Sequence, residues 1–338
     1  MRAWRVHELG EPGDVMVLDD IEAPVAGPGE VLLDVGAASL NFPDVLMCRG
    51  KYQEKPKLPF IVGGEVAGTV AGLGEGATGF EIGQRVLALT RTGGLCDRAV
   101  ANAAVTFPIP DSLELAPAAA LHIVYQTGHI GLHRRARLRA GETLLVHAGA
   151  GGVGSAAIQL GVAAGARVIA TAGGAQKVGV CRELGAEVAI DYLEDDFVAA
   201  VKQATENRGA DVIYDPVGGD VFDRSLKCIA WEGRLLVIGF ASGRIAELPT
   251  NRALLKNCSV VGVNWGMYNL MNPELIRRTH DDLMALHEAG KIAPLVSEVL
   301  AMTQARSAAQ RLADRGTVGK IVIDTTGTST GATTGPVD

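Results

Sequence analysis

Residues 143–154 read TLLVHAGAGGVG, an apolar run followed directly by a glycine-rich turn. The run is typical of a strand buried on both faces of a parallel sheet. The turn has the spacing G-x-G-x-x-G and leads into a helical stretch over residues 153–164. Because the chain contains 43 glycines, the motif alone is weak, and its strand–turn–helix context carries the prediction. We expect a dinucleotide whose phosphates face the N-terminus of this helix.

The motif assigns a role to each glycine. Gly149 is expected to permit the tight turn, Gly151 to let the backbone approach a pyrophosphate, and Gly154 to let the helix lie close to the sheet. The predicted phosphate-binding residues are Gly149, Ala150, Gly151, Gly152, Val153 and Gly154.

The surrounding sequence alternates strands with helices, which predicts right-handed βαβ crossovers in one parallel, doubly wound sheet of six strands. Helical stretches begin near Gly152, Gln176, Asp196, Asp220 and Asn251. The six apolar, β-branched runs are Thr143–His147, Arg167–Thr171, Glu187–Ile190, Asp211–Tyr214, Arg234–Ile238 and Ser259–Val263. The last run has no proline or charge, so we expect it to pair with a second copy across a twofold axis.

The flanking regions differ in pattern. Residues 1–125 show short strands between glycine and proline turns, which indicates a β-rich domain. Residues 266–324, with two amphipathic helices and a closing strand, are expected to return to that domain, leaving residues 126–265 as the dinucleotide-binding domain. A cleft between the two domains is expected to hold the ligand. Residues 325–338 lack apolar periodicity and predict a flexible tail.

Composition excludes several classes of protein. The net charge is −7 with no basic block, which argues against nucleic-acid or anionic membrane partners. No apolar run is long enough to span a membrane, and the N-terminus lacks the apolar stretch of a signal peptide. The five cysteines are scattered without a CxxC, which favours reduced thiols in the cytoplasm.

The end of the second predicted strand bears on the choice of cofactor. An acidic residue there would bind the ribose of NAD, but residues 170–174 read ATAGG and contain none. Lys177 and Tyr192 could both reach a 2′-phosphate beside Gly173, which favours NADPH. A solvated helix lysine is the alternative interpretation of Lys177.

These motifs occur together with others along the chain, and the combination resembles the zinc-free quinone oxidoreductase branch of the medium-chain dehydrogenase/reductases. The resemblance covers about residues 1–324 and implies a GroES-like β domain, a Rossmann domain and a homodimer. It adds Thr127, Val217, Phe240 and Ser242 to the expected cofactor contacts. The matching stretches include Ser39–Asp44, Arg49–Tyr52, Pro59–Phe60, Gly64–Glu65, Asp215–Gly219, Gly233–Arg234 and Ile238–Gly243.

The resemblance also predicts that no metal is bound. Zinc-dependent relatives carry ligands at the positions of Asn41, Gly64 and, approximately, Ile123, and none of these residues supplies one here. The lobe with four cysteines is also missing, because residues 90–96 contain one cysteine.

Reduction is the chemistry expected without a Lewis acid. By resemblance, Asn41 and Tyr52 are the catalytic candidates, as donors of an amide N–H and a phenolic proton to the developing oxygen or carbon. Leu46 makes the pocket more apolar, and Trp265, Met267 and Tyr268 are expected to form its far wall. Tyr52 could instead only pack, and Trp265 could be core between the domains.

The resulting hypothesis is an NADPH-dependent reductase of quinones or α,β-unsaturated carbonyls. An enoyl-thioester reductase is the alternative, since Lys51, Lys55 and Lys57 could supply a basic patch. A crystallin-like structural or RNA-binding role is a third interpretation, which the net charge disfavours. His122, His129 and His133 are interpreted as a solvated or domain-joining face without catalytic function.

Overall fold

The computed structural model describes residues 1–327, which form two compact units, residues 1–123 with 294–327 and residues 124–293. The predicted flexible tail, residues 325–338, begins too early, because Thr325 is buried and its N–H donates to Gly36 O at 3.3 Å. Residues 328–338 lie outside the described residues. The first stretch contains β1 (Arg2–Val6), α1 (Pro12–Val15), β2 (Met16–Asp20), β3 (Glu30–Ser39), α2 (Phe42–Cys48), β4 (Phe60–Ile61), β5 (Glu65–Leu73), β6 (Arg85–Leu89), β7 (Arg98–Asn102), β8 (Thr106–Pro108), α3 (Leu115–Ala119) and α4 (His122–His129). The middle contains β9 (Thr143–Val146), α5 (Gly152–Ala163), β10 (Arg167–Ala172), α6 (Ala175–Glu183), β11 (Val188–Asp191), α7 (Phe197–Ala204), β12 (Ala210–Asp215), α8 (Gly219–Ser225), β13 (Ile229–Val237), α9 (Thr250–Lys256), β14 (Ser259–Gly262), α10 (Trp265–Met271) and α11 (Pro273–Glu288). The last stretch contains β15 (Val296–Ala301), α12 (Ala305–Ala313) and β16 (Lys320–Asp324).

The second unit is built on a six-stranded sheet in the order β11-β10-β9-β12-β13-β14, with every pair parallel. This is the doubly wound dinucleotide-binding order, in which ligands bind at the carboxyl ends of the strands, where the order reverses. The reversal lies between β9 and β12, so the turn that follows β9 is at the binding edge. The predicted fold class is confirmed here.

The first unit is β-rich and contains two sheets. One has seven strands, in the order β15-β16-β3-β5-β6-β8 with β7 also paired to β3, and the other has the order β2-β1-β4. Strand β16 lies between β15 and β3 and therefore closes the sheet with residues from the end of the chain. The Trp4 indole N–H donates to the Met302 carbonyl over 2.7 Å, a second link between distant parts of the chain.

The boundary between the units differs from the prediction. We expected residues 266–324 to return to the first domain, but residues 266–293 belong to the second unit. Side chains of that unit satisfy backbone groups of this segment: Gln126 Nε2 donates to Ile276 O at 2.9 Å, and the Tyr125 hydroxyl donates to Ala293 O at 2.9 Å. Between residues 294 and 327, β15, α12 and β16 return to the first unit.

Candidate functional site

The glycine-rich turn has the predicted position, but its glycines have different roles. The residue with left-handed backbone geometry is Ala148, at φ +52°, rather than Gly149. A Cβ on Gly149 would lie 2.8 Å from Cys181 Sγ and 3.0 Å from Ala170 Cβ, so this glycine provides room for the turn to pack. A Cβ on Gly154 would collide with the Ala148 carbonyl and lie 2.9 Å from Gly149 Cα. The glycine at which α5 lies close to the sheet is instead Gly161, because a Cβ there would lie 2.5 Å from Leu144 Cδ2 on β9 and 3.1 Å from Val168 Cγ2 on β10.

The N-terminus of α5 fits the phosphates of a dinucleotide. Its N-cap is Gly151, in extended geometry, and no side chain of the described residues caps the helix. The first N–H groups of a helix have no partners within the helix, and they carry the positive end of its dipole. The Gly151 N–H already donates to Ala148 O at 2.9 Å, but Gly152 and Val153 are partly exposed. An anion can therefore reach these donors directly.

The end of β10 brings together two of the predicted specificity residues. The Tyr192 hydroxyl lies 2.7 Å from the position of a Cβ on Gly173, and the Tyr192 side chain is half exposed. Lys177 lies in the first turn of α6 and is partly buried. Gly173 and Lys177 therefore lie on either side of Gly174, the N-cap of α6, and Tyr192 packs on Gly173.

Sequence reasoning missed a carboxylate at this point. Asp191 ends β11 and pairs with Ala172 in the sheet. Its Oδ1 accepts hydrogen bonds from the backbone N–H of Gly174, at 2.9 Å, and of Leu193, at 3.1 Å. The sequence feature that could have revealed it is an acidic residue at the end of the next strand. This residue comes to lie beside the end of β10 only when β10 and β11 pair.

The loops after β12 and β13 bring Val217, Phe240 and Ser242 together. The Ser242 N–H donates to Val217 O over 2.9 Å, and a Cβ on Gly218 would lie 3.1 Å from the Phe240 ring. Asp215 Oδ1 accepts from the N–H of Val217 at 2.8 Å, which fixes the first loop. Thr127, in contrast, is buried in α4.

The first unit contains a buried polar cluster around Asn41, which we call the Asn41 cluster: Asn41, Asp44, Glu65 and Lys320. All four side chains are buried. Asn41 Nδ2 donates to Glu65 Oε2 at 3.0 Å and to Ser39 O at 3.3 Å, and its Oδ1 accepts from Lys320 Nζ at 2.5 Å. Asp44 caps α2 by accepting from the Asn41 N–H at 2.7 Å.

Burial sets the electrostatics of the Asn41 cluster. It raises the pKa of Asp44 to about 7, opposed by hydrogen bonds and by Lys320. It likewise raises the pKa of Glu65 and lowers that of the Lys320 ammonium, and in each case the opposite charge of the partner resists the shift.

The two predicted catalytic residues, Asn41 and Tyr52, differ in whether they can donate a hydrogen bond to a substrate. Both amide hydrogens of Asn41 are used within the protein, so in this arrangement Asn41 has no N–H to offer to a substrate, contrary to our expectation. Tyr52 is partly buried against the core of the first unit, and burial raises the pKa of its phenol. Within residues 1–327 no hydrogen-bond partner is found for its hydroxyl. Leu46 is half-buried on α2.

The expected aromatic wall falls on the helix α10. Trp265 and Tyr268, three residues apart, share one face of this helix, whereas Met267 points elsewhere and is exposed. The Arg134 guanidinium lies 5.9 Å from the centre of the Tyr268 ring. The three residues therefore do not form one continuous wall.

His122, His129 and His133 were predicted to form a solvated or domain-joining face, and the structure excludes a fully solvated one. His122 is fully buried, with its ring 5.0 Å from that of Phe107. The rings of His129 and His133 lie 4.6 Å apart beside a cavity of about 330 Å³. Burial, with a contribution from His133, lowers the pKa of His129 to about 4, so it is neutral at pH 7.

Two features of the structure bear on metals and membranes. Among residues 1–327, no three or more His, Cys, Asp or Glu side chains are grouped so that they could hold a metal ion. No helix in that part of the chain is both long and apolar enough to cross a bilayer.

Comparisons with known proteins agree with this architecture. The family model for the alcohol dehydrogenase GroES-like domain matches residues 27–111, and that for zinc-binding dehydrogenase matches residues 152–281. The quinone oxidoreductase-like protein 2 homolog of Nematostella vectensis is 40% identical over 327 residues, which cover 96% of this chain and 89% of that protein. Escherichia coli quinone oxidoreductase, solved in complex with NADPH, has a TM-score of 0.90 and 28% identity, covering 96% of this chain and 100% of that one. A mycobacterial protein, also complexed with NADPH, has a TM-score of 0.90 and 32% identity, with coverage of 96% and 100%. This chain therefore belongs to the quinone oxidoreductase family of the medium-chain dehydrogenase/reductases.

Proposed function

We propose that this protein is an NADPH-dependent oxidoreductase that reduces a quinone or an α,β-unsaturated carbonyl compound. The uncapped N-terminus of α5, directly after the strand at which the sheet order reverses, is the observation that carries the proposal. Membership of the quinone oxidoreductase family supports the class of acceptor.

Preference for NADPH rests on the residues around the start of α6. Tyr192 and Lys177 can donate to a 2′-phosphate, and a charge-assisted contact of this kind is among the stronger hydrogen bonds. Asp191 adds negative charge nearby, but its Oδ1 is directed at the N–H groups of Gly174 and Leu193. The balance therefore favours the phosphorylated cofactor.

The chemistry assigned to the side chains is positioning and proton donation. NADPH, when bound, supplies the hydride, and the reduced acceptor must also gain a proton. The Tyr52 hydroxyl is the donor we assign, because its phenol remains protonated at neutral pH. The Asn41 amide, engaged by Glu65 and Lys320, shapes the pocket instead of donating to the acceptor.

Steady-state oxidation of NADPH against a panel of quinones, enones and enoyl-CoA thioesters tests the proposed function. We expect turnover with quinones or enones, and faster turnover with NADPH than with NADH. Turnover of enoyl-CoA alone would instead support the enoyl-thioester reductase. Absence of turnover with every acceptor, together with no binding of NADPH by calorimetry, would refute the proposal.

We also propose a homodimer formed through β14. This strand is the edge of the six-stranded sheet, and Leu254, Leu255, Leu270 and Met271 on the neighbouring helices α9 and α10 are exposed. An unpaired edge beside exposed apolar side chains is suited to pairing with a second copy. We expect light scattering to give twice the chain mass of 35.2 kDa.

A charge on the edge strand tests the position of this interface. Val261→Lys is expected to shift the protein toward monomer, whereas Val162→Lys, on the exposed surface of α5, is expected to leave the dimer intact. A parent protein that scatters as a monomer would contradict the proposal.

The cysteines support a cytoplasmic location. All five are buried and unpaired, as expected for reduced thiols.

A further inference from the structure

Lys320 is a buried cation in the first unit. Its ammonium is almost fully buried and has three acceptors for its three N–H groups: Asn41 Oδ1 at 2.5 Å, Leu40 O at 2.9 Å and Glu65 Oε2 at 3.5 Å. Burying an ammonium is unfavourable unless its partners compensate for the lost water. Here each hydrogen has a partner, and one partner is a carboxylate.

The Asn41 cluster contains two acidic side chains and one basic side chain. Asp44 and Glu65 are both buried, and among residues 1–327 Lys320 is the basic side chain whose charge lowers the pKa of each. Removing the ammonium would therefore leave two buried carboxyl groups without a cation.

Lys320 also decides the orientation of the Asn41 amide. With Oδ1 toward the ammonium and Nδ2 toward Glu65, both ends of the amide meet complementary partners. The flipped amide would place its NH₂ group against the ammonium and its oxygen against the carboxylate. The observed orientation therefore depends on Lys320 at one end and Glu65 at the other.

The orientation of Asn41 affects the chain that follows it. Asn41 is the N-cap of α2, which carries Leu46, and the Lys51 N–H donates to Leu46 O over 2.8 Å, directly before Tyr52. Through Asn41, β16 and β5 hold the start of α2, although Lys320 and Asn41 are 279 positions apart.

We propose that Lys320 is a positioning residue: its ammonium fixes the Asn41 amide and thereby sets α2 and the segment from Leu46 to Tyr52. The effect on turnover rests on the proposed function, whereas the effects on Asn41 and on stability do not.

The test compares Lys320→Met with Lys291→Met, which makes the same change at an exposed lysine. In Lys320→Met, Asp44 and Glu65 must bind protons to remain buried, so their folded-state pKa values exceed those of the unfolded chain. Stability then falls as pH rises, because the folded state binds more protons. We expect the loss in thermal midpoint to be about twofold larger at pH 8.5 than at pH 5.5, and Lys291→Met to behave as the parent. A loss that does not change with pH would overturn the neutralising role.

The positioning role has its own measurement. In protein labelled with ¹⁵N-asparagine, the Asn41 side-chain NH₂ signals, assigned by their absence in Asn41→Asp, should exchange slowly with solvent in the parent. They should shift and exchange rapidly in Lys320→Met/Glu65→Gln compared with Glu65→Gln alone, since the double variant removes one carboxyl together with the cation and so keeps the fold testable, and the single variant accounts for the loss of the Glu65 contact. Unchanged signals would overturn the proposal, whether or not an acceptor has been found.

Kinetics then separate positioning from neutralisation. We expect the double variant to lose about tenfold or more in kcat/KM for the acceptor relative to Glu65→Gln alone, with the KM for NADPH within about twofold of the parent. Recovery of parent kcat/KM in the double variant would mean that Lys320 only balances charge.

Discussion

The Tyr192 hydroxyl lies 2.7 Å from the point that a Cβ on Gly173 would occupy, so the phenol takes space that only a glycine leaves open. Gly173→Ala is therefore expected to displace Tyr192 from the start of α6. If Tyr192 contacts the 2′-phosphate, Gly173→Ala and Tyr192→Phe should both raise the KM for NADPH and leave that for NADH nearly unchanged. Equal effects on both cofactors would count against this contact.

Lys177→Ala should also reduce the preference for NADPH. A charge-assisted hydrogen bond to phosphate contributes about 1.5–3 kcal/mol, or roughly 10- to 150-fold in affinity. Calorimetric titration of NADPH and NADH into the parent and the variant measures this difference. A parent protein that binds both cofactors equally would refute the preference itself.

Gly154→Ala is expected to destabilise the second unit, because its Cβ would collide with the Ala148 carbonyl. Overpacking of this kind costs about 1–3 kcal/mol. Gly179→Ala is the matched control: its Cβ meets nothing within 4 Å on α6, and alanine favours a helix by about 0.5–1 kcal/mol. The midpoint of urea unfolding should therefore fall for Gly154→Ala and rise for Gly179→Ala. A Gly154→Ala variant as stable as the parent would contradict the close contact between Gly154 and the Ala148 carbonyl.

The purified protein is expected to contain no stoichiometric zinc, and EDTA should leave its activity intact. The positions of Asn41, Gly64 and Ile123 supply no metal-binding side chain, since glycine and isoleucine carry no donor atom there and both ends of the Asn41 amide are engaged by Lys320 and Glu65. Elemental analysis with about one zinc per chain would refute the prediction.

Tyr52→Phe should slow reduction of enones by about 10²-fold and that of quinones much less, because a carbanion-like carbon benefits from a placed acid and a quinol can take its protons from solvent. Burial raises the pKa of Tyr52, so the effect should not depend on pH between about 6 and 9. Tyr214→Phe is the control, since its buried hydroxyl has no partner in the described part of the chain. Equal kcat for the parent and Tyr52→Phe on every active enone would exclude the proton-donor role.

The central sheet could be predicted from sequence because its strands are continuous apolar runs between glycine turns. The observed β9, β10 and β12 differ from the predicted runs by one residue at most at either end. Strand β15 was missed because most of its residues are only partly buried, which leaves no clear apolar alternation. The segment around α11 was assigned to the wrong unit, since its amphipathic pattern does not say which core it covers.

The candidate site was predictable in part. Gly173 and Tyr192 were proposed for one subsite, and the structure brings them together. The inward direction of the Asn41 amide was not predictable, because it depends on Lys320 from the end of the chain. The position of the Asp191 carboxylate at the start of α6 likewise depends on how β10 and β11 pair, and no local sequence pattern reveals that pairing.

The place of β16 in the sheet has a consequence for synthesis on the ribosome. Residues 124–293 form a unit from one continuous stretch, so they can complete their fold as soon as they emerge. The first unit cannot, because β3 lacks its neighbour β16, and Asp44 and Glu65 lack the Lys320 cation, until residue 320 has been made. The part of the chain made first is therefore completed last, and until then it exposes an open strand edge that a chaperone could cover.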